Sequence, residues 1–103
     1  MLLPSGIVHG SQINAAVADV YRQLAPDVVR IRFDVGHDWS GDDAIFFRIL
    51  ISDDAARTRL RETREKAVRM LEAILNFETV GLRVYHNVRS VSEQESLREK
   101  SWE

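Results

Sequence analysis

The sequence predicts a small α+β domain, built as a two-layer α-β-β-α-β sandwich in which a three-stranded sheet carries two helices on one face. Two observations lead to this prediction. Apolar residues recur every three or four positions over 12–24 and again over 54–76, which is the spacing of amphipathic helices. Three other stretches are rich in β-branched and aromatic residues, as strands are: 28–35, 44–51 and 82–91. The chain, residues 1–103, is predicted to form one domain.

The first helix is predicted from its capping residue, its apolar stripe and the proline that follows it. Ser11 is a favourable N-cap residue, and Pro26 disfavours helical geometry at Ala25. The predicted stripe is Ile13, Ala16, Val17, Val20, Tyr21 and Leu24. Residues 1–10 are predicted to be an irregular lead-in because they contain a proline and two glycines.

An antiparallel hairpin is predicted next, because two strand-like stretches are separated by the turn-rich residues 36–43. The first strand alternates cleanly between apolar and polar residues. The side chains predicted to face the helices are Val29, Ile31, Phe33 and Val35. Those on the opposite side of the sheet, called the open face from here on, are Arg30, Arg32 and Asp34.

The second strand of the hairpin differs from the first because both of its faces are mostly apolar. Its helix-facing residues are Ile45, Phe47, Ile49 and Ile51. Its open-face residues are Ala44, Phe46, Arg48 and Leu50. Large apolar side chains in a contiguous patch are costly to leave in water, so we expect a partner or another part of the chain to cover them.

The second helix and the third strand complete the predicted fold. The helix is expected to bury Ala56, Leu60, Ala67, Leu71, Ile74 and Leu75, with Thr63 or Arg64 filling the gap in the stripe. The third strand is predicted to place Arg83, Tyr85, Asn87 and Arg89 on the open face. Residues 92–103 form a polar tail. Ser92 and Glu95 have capping-box spacing, so either a short helix forms there or the tail frays unless Leu97 and Trp102 dock.

The open face is the strongest functional signal in the sequence, and three interpretations compete for it. The first is association with a second copy or with another subunit of a complex. The residues predicted at that interface are Phe46, Arg48, Leu50, Tyr85 and, from the hairpin loop, Trp39. The second is RNA binding, in which aromatic rings stack on bases while arginines hold phosphates. The predicted RNA-binding residues are Arg30, Arg32, Arg48, Tyr85 and Arg89.

The third interpretation is that the C-terminal tail or the first ten residues fold back over the open face. The net charge of −2 gives the whole protein no attraction to nucleic acid, so any such attraction depends on a local patch. The leading hypothesis is therefore a non-enzymatic interaction or regulatory subunit, a homodimer or part of a larger complex. An RNA-binding module is the alternative.

The sequence resembles two groups of known proteins. The order α-β-β-α-β over residues 11–91 resembles the type II KH-like arrangement of the bacterial ribosome-binding factor A family, which implies that fold and raises the RNA hypothesis. The chain has no Gly-x-x-Gly clamp, so no functional residue of that family is transferred. The stretches 39–48 and 89–94 resemble small bacterial proteins that have no known activity. This second resemblance implies a bacterial origin and supplies no function.

The sequence predicts no catalytic residue, no metal site and no cofactor. His37, Asp38, Asp42 and Asp43 lie together in the hairpin loop, but their spacing matches no known metal-binding motif, and loops favour Asp for turn geometry. His86 is predicted to be a core histidine rather than a base, because no nucleophile accompanies it in the sequence. A small enzyme built on His37, Asp38 and His86 remains a third hypothesis.

The predicted location is the cytoplasm. The N-terminal residues lack the basic and apolar regions of a secretory signal, and no apolar run approaches the roughly 20 residues that span a bilayer. The absence of cysteine excludes disulfides, thiolate nucleophiles and cysteine-ligated zinc.

Overall fold

A computed structural model describes residues 10–74 and 81–103. The predicted lead-in over 1–10 lies outside these residues except for Gly10, which is helical and not irregular, and the predicted helix end at 75–76 also lies outside them. The elements are α1 (Gly10–Leu24), β1 (Val28–His37), β2 (Asp43–Ile51), α2 (Asp53–Thr58), α3 (Leu60–Ile74), β3 (Arg83–Ser90), α4 (Val91–Leu97) and a 3-10 helix (Lys100–Trp102). The predicted α+β class is confirmed. Helix α1 begins one residue before the predicted cap and ends before Pro26, as predicted.

The three strands form one mixed sheet in the order β1-β2-β3. Strands β1 and β2 form the predicted antiparallel hairpin, with Phe33 opposite Phe47 and Asp34 opposite Phe46. Strand β3 runs parallel to β2, with Phe46 opposite Tyr85. Parallel neighbours need a crossover, and α2 with α3 supplies it.

The hydrophobic core lies between the helix side of the sheet and the helices α1 and α3. The strands turn one apolar face toward this layer, with every second residue on it. The helices turn their apolar stripes, which recur about every 3.6 residues, toward the same layer. The fully or nearly buried members are Ile13, Ala16, Val20, Val28, Ile31, Ile45, Phe47, Ile49, Ile51, Ala67, Leu71 and Leu82. Burial of Phe47, Ile45, Ile49 and Ile51 confirms the helix-facing set predicted for β2.

A β-bulge near the start of β1 makes one sequence prediction wrong. The register shifts between Val28, which pairs with Ile51, and Arg30, which pairs with Leu50. Val29 is the extra residue, and its side chain is 38% exposed while Val28 is fully buried. A bulge places two consecutive residues against one partner, so simple alternation assigns the wrong residue to the core at this point.

The second predicted helix is two helices, and its predicted buried stripe is wrong at Leu60. Arg59 has φ −151° and ψ 40° and separates α2 from α3. Leu60, predicted to be buried, is 47% exposed, whereas Thr63 fills the gap in the stripe, one turn before Ala67, as one of the two predicted alternatives. Arg59 donates to both carboxylate oxygens of Asp27, at 3.0 and 2.8 Å, and this pair lowers the pKa of Asp27. Thr63, Ala67 and Leu71 keep the predicted spacing, so the error is confined to Leu60, the first residue of α3, directly after the break.

Residues 91–103, here called the C-terminal segment, form α4 and the 3-10 helix rather than a frayed tail. The capping box consists of Ser90 and Glu93 instead of the predicted Ser92 and Glu95. Ser92 lies in the first turn of α4 and donates from its backbone nitrogen to Asp53 at 2.9 Å, and from its hydroxyl to the same carboxylate. These bonds lower the pKa of Asp53 and tie α4 to the start of α2.

Candidate functional site

The C-terminal segment covers one half of the open face. Trp102 is only 5% exposed, and so is Leu50 on β2 beneath the segment. The guanidinium carbon of Arg89 lies 4.3 Å from the centroid of the Trp102 ring, a cation–π contact. Arg30 donates to the main-chain oxygen of Trp102 from Nε at 3.3 Å and from Nη2 at 3.0 Å. The apolar residue that sequence analysis left unexplained at this end of β2 is therefore covered by the chain itself.

The arginines of this half are bound to the C-terminal segment. Arg89 donates from Nη1 to Gln94 at 2.7 Å and from Nη2 to Glu99 at 3.1 Å. Arg32 donates from Nε to the main-chain oxygen of Glu103 at 2.7 Å. Of the five residues predicted to bind RNA, Arg30, Arg32 and Arg89 thus serve as anchors for the segment. Leu50, predicted at an interface, lies under that segment.

The other half of the open face carries three aromatic rings in a row, here called the aromatic cluster: Phe46, Tyr85 and Trp39. The rings of Phe46 and Tyr85 are stacked at 15° with their centroids 5.3 Å apart. The Trp39 ring lies 5.2 Å from that of Tyr85 at an angle of 57°. The parallel register of β2 and β3 brings the first two together, and the hairpin loop adds the third. Trp39 is 85% exposed.

Asp38 fixes the loop that presents Trp39. Its Oδ1 accepts from the backbone nitrogens of Ser40 and Asp42 at 2.9 and 3.0 Å and from the Ser40 hydroxyl at 2.8 Å. Its Oδ2 accepts from the Tyr85 hydroxyl at 2.8 Å. Burial alone raises the pKa of Asp38, but the bonds from Ser40, Tyr85 and Asp42 outweigh burial and lower it from 3.8 to about 2. The charged carboxylate therefore holds both the loop and the central ring of the cluster.

Two ion pairs flank the aromatic cluster. Arg48 donates from Nη1 to Asp34 at 2.5 Å across the β1–β2 hairpin. Arg83 at the start of β3 lies 3.0 Å from Asp42 in the hairpin loop. The bond to Asp38, together with burial, raises the pKa of Tyr85, so its hydroxyl stays a donor at neutral pH. The cluster is thus a neutral aromatic surface with a charged but paired margin.

The structure separates the side chains of the hypothetical small enzyme. His37 pairs with Asp43 at 3.2 Å, while Asp38 is occupied by Ser40 and Tyr85. His86 points to the helix side of the sheet, where its ring stacks on Phe47 at 5.7 Å, opposite the side that carries Tyr85. Within residues 10–74 and 81–103, no group of three or more His, Asp and Glu side chains could hold a metal ion.

His86 carries a buried polar atom without a hydrogen-bond partner in the described part of the chain, which the sequence does not predict. Its Nε2 has no hydrogen-bond partner among the residues that the structure describes. Burial lowers the pKa of His86, an effect that Glu72 opposes and Arg64 reinforces. A neutral imidazole packed on Phe47 fits the sequence interpretation of a core histidine.

Sequence reasoning named every member of the aromatic cluster but missed the residue that organises it. The loop carboxylates were weighed as metal ligands, and only the register that places Tyr85 beside the loop reveals Asp38 as its acceptor. Comparison of the chain with protein-family models, with curated proteins and with solved structures finds no match in any of the three. No helix in the described part of the chain is long and apolar enough to cross a bilayer.

Proposed function

We propose that this chain is a cytoplasmic, non-enzymatic interaction subunit that binds a partner protein through the aromatic cluster. The partner we propose presents apolar side chains to Trp39 and Tyr85 and polar groups to the paired charges at the margin. The function of such a subunit is recognition, either within a stable complex or as a regulator of the protein that it binds.

One observation carries the proposal: Trp39 is 85% exposed although its loop is held in place. An exposed tryptophan forfeits a large apolar burial, since aromatic side chains can bury about 150–250 Å² each. The hydrogen bonds of Asp38 hold the loop that carries Trp39, and the contact with Tyr85 sets the indole against the aromatic cluster before a partner arrives. A ring carried on a fixed loop loses less conformational entropy on binding than one on a mobile loop, and tryptophan is enriched at interface hot spots.

The margin of the cluster favours a protein over a nucleic acid. Arg48 is paired with Asp34, and Arg83 is paired with Asp42, so the cations nearest the rings already have carboxylate partners. Arg30, Arg32 and Arg89 are engaged by the C-terminal segment. RNA binding needs cations that exchange counterions for phosphates, and here each candidate arginine already donates to a carboxylate, amide or main-chain oxygen, which restricts its reach toward a phosphate.

RNA remains the second candidate because stacked aromatic rings on a sheet can accept unpaired bases. Phe46, Tyr85 and Trp39 form such a row with centroid spacings of 5.3 and 5.2 Å. A protein partner and an RNA partner would give different crosslinked adducts, so one crosslinking experiment separates the two candidates.

The test places a photoreactive phenylalanine analogue at position 39 or, as a matched control, at position 60. Leu60 is also an exposed apolar residue but lies on α3, away from the open face. We expect irradiation of native cells to give discrete, nuclease-resistant protein adducts from position 39 that are absent from position 60. Tyr85→Ala, which removes the ring under Trp39, should weaken these adducts.

Three results would contradict the proposal. Equal adducts at positions 39 and 60 would mean that the cluster has no special affinity. Adducts that disappear on ribonuclease treatment would mean that the aromatic cluster binds RNA and not a protein. Absence of any adduct at position 39 in a folded variant would leave the cluster without a partner.

A further inference from the structure

The outer edge of β1 has the features of a pairing strand. Strand β1 is ten residues long, and within the described residues its sheet partner is β2 alone. Natural sheets protect long edges, because unpaired N–H and C=O groups recruit another strand. Apolar side chains gather at this edge, since Tyr21 and Val29 are both exposed there. They line a cleft of about 240 Å³ between α1 and β1, together with Val17 and Ile31.

The hairpin register determines which residues of β1 point their backbone groups outward. The backbone nitrogen of Asp38 donates to the oxygen of Asp42 at 3.0 Å, so this pair belongs to the hydrogen-bonded type. Hydrogen-bonded and non-hydrogen-bonded pairs alternate along an antiparallel ladder. Arg30, Arg32 and Asp34 therefore direct their backbone groups to β2. The residues between them, Ile31, Phe33 and Val35, direct theirs to the outer edge.

We propose that two copies of this chain associate through β1, pairing antiparallel about a two-fold axis at Phe33 to form a continuous six-stranded sheet. In this register Phe33 faces Phe33 of the second copy, and Ile31 faces Val35. These pairs supply about six main-chain hydrogen bonds across the interface. Phe33 and Val35 are only partly buried in one chain, so a neighbouring strand covers what α1 leaves uncovered.

Charge complementarity selects this register over its neighbours. With the axis at Phe33, Arg32 lies opposite Asp34 of the second copy, and the pair occurs twice by symmetry. Moving the axis to residue 32 sets Arg32 against Arg32, and moving it to residue 34 sets Asp34 against Asp34. An axis at residue 31 sets Arg30 against Arg32. Opposite charges at non-hydrogen-bonded positions stabilise a sheet, and like charges there destabilise it.

The existing contacts of the two charged residues are compatible with this pairing. Arg32 is exposed and uses Nε in its bond to Glu103, which leaves its terminal nitrogens to meet a carboxylate. The side chain of Asp34 is 66% exposed although Arg48 contacts one of its oxygens. The aromatic clusters of both copies would then lie on one face of the joined sheet, so this dimer goes beyond the proposed function without using the same surface.

Charge reversal tests the interface without disturbing the core. Arg32→Asp alone and Asp34→Arg alone each set like charges opposite one another twice. The wild-type chain is expected at twice 11.8 kDa by light scattering at high micromolar concentration, and each single variant is expected at 11.8 kDa. An equimolar mixture of the two variants should return to the doubled mass, because every opposing pair in the heterodimer again has opposite signs.

The mixture makes the test independent of folding defects, since a variant that fails to fold cannot restore a complex. Arg61→Asp is the matched control, because it makes the same change of charge on the exposed surface of α3 and should leave the mass doubled. A monomeric wild-type chain, single variants that remain dimeric, or folded single variants that do not reassociate when mixed would each overturn the proposal. A dimer that Trp39→Ala abolishes and charge reversal does not would assign self-association to the aromatic cluster instead.

Discussion

Replacing Trp102 by alanine is expected to detach the C-terminal segment from the sheet. The indole is 5% exposed and packs under the Arg89 guanidinium at 4.3 Å. Removing a large aromatic residue from a packed core costs about 3–5 kcal/mol. Trp102 lies in a single layer on one face of the sheet rather than between two layers. We therefore expect a smaller loss, about 2–3 kcal/mol including the cation–π contact.

The assay is equilibrium unfolding in urea combined with limited trypsin digestion. The loss should lower the urea midpoint, and the detached segment should be cleaved at Arg98 and Lys100 while residues 10–74 stay protected. Leu97→Ala is the matched control, because that side chain lies in the same segment but is exposed, and its loss should cost less than about 0.5 kcal/mol. Equal midpoints and equal cleavage rates for the two variants would refute the idea that Trp102 anchors the segment.

Three further predictions concern single residues. Asp38 has a folded-state pKa of about 2 against 3.8 for the free group, so its stabilising effect is complete above pH 4 and is lost as the pH falls toward 2. Asp38→Asn should flatten the pH dependence of the urea midpoint over that interval, and a pH dependence equal to that of the wild-type chain would contradict this role. His86→Leu should raise the free energy of unfolding by about 1 kcal/mol, because the unpaired Nε2 is removed. The gain should grow as the pH falls through 6.5, since the lowered pKa makes protonation favour the unfolded chain; a gain that shrinks would argue against burial as the cause. Leu71→Ala should cost about 2–5 kcal/mol and Leu60→Ala less than about 0.5, and equal losses would refute the difference in burial between these two residues of α3.

The sequence-based errors in the fold occur where a regular pattern is interrupted. Alternation assigns Val29 to the core until the bulge adds a residue to β1. Helical spacing assigns Leu60 to the buried stripe, but Leu60 is the first residue of α3, directly after the break at Arg59, and is 47% exposed. Both patterns are correct on either side of the interruption. A period in the sequence predicts which residues share a face, but an inserted residue is recognised only when its opposite strand or neighbouring helix is known.

The candidate site was predictable as a set of residues and not as an arrangement. Alternation alone placed Phe46 and Tyr85 on the open face, and the loop composition drew attention to Trp39. Which of them meet depends on the parallel register of β2 and β3, which nothing local encodes. The role of Asp38 depends on the same register, because its acceptor oxygen meets a hydroxyl 47 residues away in the chain.

The sequence by itself determined the α+β class, the antiparallel hairpin, and the division of β2 into a helix-facing side and a side that needs cover. Those properties follow from side-chain periodicity, which is a local quantity. Only the tertiary structure decided what provides the cover. Arg30 meets the main chain of Trp102 across 72 residues, and this contact divides the open face into a half closed by the chain and a half left to the aromatic cluster. Such a contact depends on how distant elements are placed in space, and periodicity carries no information about that.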